Sequence, residues 1–153
     1  MTENITVPGT WNINYEYAAG DTMSHFLTEL RDNEQILGRQ CPECERVLAP
    51  PREFCEQCYS DTDEWVEIGP GGRIESFTIV PNDLGSGPDA PYAVAYVQLD
   101  GASTAMVNMM EGLDLSDVDA AAAELSIGTR VEAVFKSDAK REARITDFYY
   151  ELA

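Results

Sequence analysis

The sequence predicts a mainly β chain with one N-terminal helix, in which a small metal-held ribbon precedes a five-stranded barrel. Three observations predict it: two C-x-x-C pairs ten residues apart, an apolar stripe of helical period before them, and five apolar or alternating segments after them, bounded by Gly, Pro and Asp. Residues 1–37 read as an aromatic arm and an amphipathic helix, residues 38–65 as the ribbon and residues 66–153 as the barrel.

The ribbon rests on Cys41, Cys44, Cys55 and Cys58, the only cysteines of the chain. A C-x-x-C turn lets two sulfurs of one tight loop converge on one ion, so CPEC and CEQC together complete a tetrahedral zinc sphere at about 2.3 Å per bond. Four thiolates leave no open position for water or substrate, which makes the expected ion structural and not catalytic. Three readings compete, one of them another metal or an iron centre on the same thiolates. Paired disulfides would suit a secreted chain, but MTENITVPGT shows no basic segment followed by an apolar run, so an oxidising compartment is not expected. A thioredoxin-like redox site needs one C-x-x-C beside a βαβ unit, and here two pairs share a short stretch. From Gly38 to Trp65 the segment is too short for a core of its own, so metal supplies much of its folding free energy and chelation is expected to unfold it.

Ahead of the ribbon, Trp11, Tyr15 and Tyr17 lie in a polar arm that Pro8 and Gly9 keep irregular. Packing on the arm's own domain is the default, and docking on a partner subunit is the alternative that tyrosine and tryptophan favour. A helix is predicted from Asp21, with Asp21 or Thr22 as cap. Met23, Phe26, Leu27, Leu30 and Leu37 form its stripe, and Gly38 stops it. A small zinc module offers little surface to cover that stripe, so partner docking stands beside core packing. His25, the only histidine, lies in this helix without an acid, serine or cysteine placed beside it by any motif, and a surface or interface role is expected.

Beyond Trp65 the period changes. GRIESFTIV (72–80), PYAVAYVQLD (91–100), STAMVNMMEG (103–112), TRVEAVFK (129–136) and ARITDFYYEL (143–152) read as strands, and the alanine-rich connection 113–128 as a short helix. Five strands with a helix after the third match the partly open Greek-key barrel called the OB-fold. PNDLGSGPDAP (81–91) is a hairpin connection, placed where such barrels build ligand or partner contacts.

Charge narrows the function classes. With 28 acidic residues against 10 basic ones, the formal charge is −18. Between Cys41 and Trp65 only Arg46 and Arg52 face seven acids. Nucleic-acid binding depends on lysine and arginine displacing counterions, so this balance opposes it. A single-stranded nucleic-acid binder stays as the alternative function, because ribbons, OB-folds and barrel aromatics all serve that purpose. No apolar run approaches the roughly 20 residues that span a bilayer, and a cytoplasmic chain with no membrane contact is expected.

The order helix, C-x2-C, x10, C-x2-C, barrel resembles the zinc-ribbon and OB-fold family catalogued as domain of unknown function number thirty-five. GRQCPEC, APPREFCEQC, EWVEI, GRIESFTIV and PYAVAYVQLD carry the resemblance, which covers residue 22 to the end. It implies a non-catalytic accessory subunit of a thiolase-superfamily enzyme, either a 3-oxoacyl-CoA thiolase or an acyl-CoA aldolase. It further implies a hetero-oligomer of two plus two subunits and Zn2+ held by the four cysteines. The CoA thioester would be bound mainly by the partner, with Arg73, Arg130, Lys136, Lys140, Arg141 and Arg144 as a local basic contribution. Aromatic (benzoylsuccinyl-CoA) and steroid degradation both fit such a complex. Glu45 and Tyr59 depart from the pattern, because they stand where zinc knuckles often place glycine.

Overall fold

A computed structural model describes residues 5–9, 13, 15–83, 85 and 87–153. Helix α1 (Gly20–Asn33) leads into a three-stranded sheet of β1 (Leu37–Gln40), β2 (Val47–Leu48) and β3 (Glu64–Glu67), ordered β2-β1-β3. Strands β4 (Gly71–Val80), β5 (Tyr92–Leu99), β6 (Met106–Met110), β7 (Arg130–Phe135) and β8 (Phe148–Leu152) close a barrel in the order β4-β5-β6-β8-β7. The short helix α2 (Val118–Glu124) follows the third barrel strand, as expected, with the Asp117 carboxylate accepting from the Ala120 N–H at 3.0 Å. The barrel is closed and not partly open, because β6 runs parallel to β8 at Met110 and Tyr150 while β4 pairs β7 at Gly71–Arg73.

Alternation along the strands explains the core. On β5, Ala93, Ala95, Val97 and Leu99 point inward and are buried, and Ile74, Met106, Met110, Val131, Phe148 and Tyr150 meet them from the other strands. Gly72 is required where β4 passes β5, since a Cβ there would lie 2.6 Å from Val97 Cγ1 and 2.8 Å from the Gln98 carbonyl. Tyr150 is wholly buried and donates its hydroxyl to the Met106 carbonyl at 3.2 Å. Burial holds its phenol well above the usual tyrosine range.

Several expectations are corrected. The helix ends four residues before Gly38, at Glu34, whose left-handed backbone (φ 54°) turns the chain and returns its N–H to the Glu29 carbonyl. Leu37 therefore belongs to β1. Gly38 serves a close approach instead, as a Cβ there would lie 2.6 Å from Val47 Cγ1. Neither Asp21 nor Thr22 caps α1, because the N-cap is Ala19 with no side-chain bond. Phe26 and Leu30 are fully buried in the same cluster as the barrel core, so the stripe covers this chain's own barrel and not a partner. The last strand is shorter than expected, since 3₁₀ turns occupy Asp138–Lys140 and Ile145–Asp147. Buried Asp147 holds that segment by accepting from the Glu142 and Arg144 N–H groups, and Asn108 donates to the Ile145 and Phe148 carbonyls. Tyr15 and Tyr17 are exposed and do not pack on the domain, while Trp11 lies outside the described residues.

Candidate metal centre

Each cysteine pair sits in a turn built twice from the same parts. The Cys41 N–H donates to the Arg46 carbonyl at 2.9 Å and the Glu45 N–H returns to the Cys41 carbonyl at 2.9 Å. In the second turn the Cys55 N–H donates to Ser60 at 2.9 Å and the Tyr59 N–H to Cys55 at 2.8 Å. Glu45 and Tyr59 take the left-handed conformation that glycine usually fills, at φ 58° and 57°. The departure from glycine therefore leaves the turn intact and adds about 1 kcal/mol of strain at each.

All four cysteines are free thiols with sulfurs within 4.8 Å of one another, and Cys41 and Cys55 are buried. The Cys44 and Cys55 sulfurs are 3.8 Å apart. Tetrahedral bonds of about 2.3 Å put ligand sulfurs about 3.8 Å from each other, whereas a disulfide needs about 2.05 Å. The donor set thus fits zinc, and the residues that would hold it are Cys41, Cys44, Cys55 and Cys58.

Electrostatics around the sulfurs are uneven. Cys41 is drawn down to about 6, chiefly by the Ser60 hydroxyl 3.3 Å away and then by the backbone N–H groups of its own turn. Cys58 is pushed up to about 12 by hydrogen bonding with Cys44, by desolvation and by the other sulfurs. Four negative sulfurs cannot share this space without a cation, and a divalent ion reverses the repulsion. Ser60 went unnoticed in the sequence, where nothing but its place two residues after Cys58 marks it. Arg46 ties the two turns together through Glu56 at 2.9 Å.

The ribbon is joined to the rest at two places. On one side β2 meets the β5–β6 turn: Val47 accepts from the Ser103 N–H at 2.8 Å and donates to its hydroxyl at 3.1 Å, and Ala49 donates to the Thr104 hydroxyl at 2.7 Å and accepts from it at 2.8 Å. On the other side Arg39 lies 5.1 Å over the Trp65 ring, donating to the Thr22 hydroxyl and the Thr62 carbonyl. His25 meets the same Trp65 edge-on at 4.6 Å, half exposed, with Glu29 at 3.9 Å.

The expected basic group is dispersed by its own partners. Arg130 makes two bonds to Asp100 at 2.8 and 2.7 Å. Arg141 pairs with Glu34 and Asp138 and donates to the Arg31 carbonyl. Arg144 pairs with Glu142, and Arg73 donates to the Gly128 carbonyl. Lys136 and Lys140 line a shallow hollow with Phe135, Glu111, Ser137 and Tyr149.

A four-thiolate ribbon hydrogen-bonded onto a closed five-stranded barrel defines the class of zinc-ribbon and OB-fold proteins. The sequence matches the ChsH2 rubredoxin-like zinc ribbon domain over residues 28–64 and the ChsH2 C-terminal OB-fold domain over residues 65–136. It is 30% identical over 105 residues to a DUF35 domain-containing scaffold protein of Methanothermobacter thermautotrophicus, covering 66% of this chain and 71% of that one. The chain belongs to the DUF35 family. Among solved structures, a DUF35-family protein of unknown function from Sulfolobus solfataricus superposes with a TM-score of 0.63 at 20% identity, covering 88% of this chain and 87% of that one. A chain of the Ltp2-ChsH2(DUF35) aldolase superposes with a TM-score of 0.59 at 22% identity, covering 88% and 96%. Among the described residues, no helix is long and apolar enough to cross a membrane.

Proposed function

We propose that this chain is a non-catalytic, zinc-stapled accessory subunit of a thiolase-superfamily enzyme acting on acyl-CoA thioesters. The observation that carries it is the closed cysteine site. Four sulfurs within 4.8 Å fill a tetrahedral sphere, so the ion holds the fold and offers no place for a substrate. Support also comes from the DUF35 scaffold relative and from the DUF35 chain found in an aldolase.

In this assembly the partner supplies the reacting groups, and the barrel and ribbon pack beside its active-site mouth to exclude water and shape the acyl pocket. The net charge of −18 and the pairing of Arg130, Arg141 and Arg144 with carboxylates favour binding of the CoA phosphates by the partner's lysines and arginines. A cytoplasmic complex with two copies of each subunit completes the proposal, and its chemistry is thiolysis or aldol cleavage.

Co-expression with the thiolase-superfamily subunit of the same genome tests it. Native mass spectrometry should show a heteromeric assembly, and acyl-CoA turnover should require both chains. Turnover by this chain alone, or full activity of the partner without it, would falsify the proposal.

A further inference from the structure

We infer that the outer wall of β4, β5 and β6 is the surface by which this chain docks face-on against its catalytic partner, an inference that rests on the function proposed above. Strand register defines the wall. Ser76, Tyr96 and Val107 form one outward row, Thr78, Val94 and Met109 the next, and Val80 and Tyr92 a third. Their neighbours along the strands, Ala93, Ala95, Val97, Met106 and Met110, point inward and are buried.

An antiparallel sheet with one face on the core ordinarily presents polar side chains on the other. These eight outward positions hold no Asp, Glu, Lys or Arg, in a chain where charged residues make up 25%. Tyr96 is 50% exposed and Val107 42%. A contiguous charge-free surface with tyrosines on its central strand has the composition of an interface centre, and no element among the described residues is paired or packed on it. Acids border it: Glu75 adjoins the first row, Glu111 follows β6, and Asp83 and Asp89 lie exposed in the connection beyond the third.

Charge selects the occupant. A second copy would bring another −18 and the same acidic border against this one, which opposes self-docking. Single-stranded nucleic acid, which OB barrels take on strands corresponding to β5 and β6, needs cations along its phosphates; the three rows supply none, and Arg73, in the next row of β4 opposite Gln98, is turned to the Gly128 carbonyl. The fitting occupant is a folded protein with an uncharged apolar centre framed by lysine and arginine, the chemistry required here of the thiolase-superfamily subunit. Docking is face-on, by side chains, because β5 at the centre of the wall is already paired on both sides by β4 and β6.

The test measures affinity of the full-length zinc-loaded chain for the co-expressed thiolase-superfamily subunit. Tyr96→Glu and Val107→Glu should each weaken the complex about a hundredfold or more, with melting temperatures within about 2 °C of wild type. Leu152→Glu, also apolar and 38% exposed but on β8 opposite Val131 of β7, should leave affinity unchanged. Wild-type affinity in both wall variants overturns the docking surface while the proposed function stands. No complex with the wild-type chain removes both. A wild-type homodimer broken by Tyr96→Glu assigns the wall to a second copy, and oligonucleotide binding lost in that variant assigns it to nucleic acid; either result overturns the inference.

Discussion

In the ribbon, Cys41, Cys55 and Leu48 form a small buried cluster of their own, whereas Ile74, Val97, Leu99, Met106, Val131, Phe148 and Tyr150 share one large core in the barrel. Leu48 contributes only about 2–3 kcal/mol on burial and Val47 and Ala49 together about as much again, far below the conformational entropy of the twenty residues from Cys41 to Ser60. The barrel has a large core of its own, whereas the ribbon is expected to depend on the ion its four cysteines would hold. Yet the two are not separate beads, since Val47, Ala49, Ile36 and Leu37 belong to the barrel's cluster and only the knuckles stand apart from it. Dependence on metal is thus expected at the two cysteine turns themselves.

The sharpest way to break that contrast is to remove the metal. Chelation, or Cys44→Ser, should abolish a contribution on the order of 10 kcal/mol and free the amides of Cys41, Glu45, Cys55 and Tyr59 to exchange. Amides of β5 and β6 should stay protected, and a single cooperative loss of both regions would show that the ion holds the barrel too. Next in size is Phe26→Asp. It places a carboxylate at a fully buried site and should cost about 4 kcal/mol or more, unfolding helix and barrel together in a denaturant titration. Retention of wild-type stability would mean that α1 is not part of the core.

Within the barrel, Tyr150→Phe should cost about 1 kcal/mol through the lost bond to Met106. It also carries a pH signature. The folded phenol is raised above its unfolded value, so its stabilisation is complete below about pH 10 and is lost as pH rises beyond that. Removing the hydroxyl should flatten the alkaline fall in melting temperature, and an unchanged slope would contradict the buried phenol. Smallest of all, Glu45→Gly should stabilise the zinc-loaded ribbon by less than about 1 kcal/mol, by relieving the left-handed strain at φ 58°. A loss of stability would show that the Glu45 side chain supports the turn.

How far these features were legible in the sequence depended on whether they were local. The cysteine spacing and the alternation in PYAVAYVQL were read directly, because a turn and a pleat set both within a few residues. The helix was read too long, since Leu37 continues the period of Phe26 and Leu30 although Glu34 has already turned the chain. What covers Phe26 is a long-range fact, fixed by a barrel formed more than forty residues later. Ser60 beside Cys41 and Arg39 over Trp65 escaped for the same reason, as a hydroxyl and a guanidinium carry no spacing signal. The charge-free wall needed the register, because Tyr92, Val94 and Tyr96 look like ordinary strand residues until Val107 and Met109 are set beside them.

The junction at Ser103 and Thr104 bears on solubility. An unpaired strand edge is a template for adding strands from other molecules. At β2 that edge is occupied by hydroxyls and a turn amide in place of a fourth strand, and at β3 the exposed carboxylates of Glu64 and Glu67 guard the opposite side. The barrel closes where β4 meets β7 at Gly71–Arg73. The three-stranded sheet therefore presents a covered edge at β2 and a charged one at β3, which opposes strand addition at the ribbon.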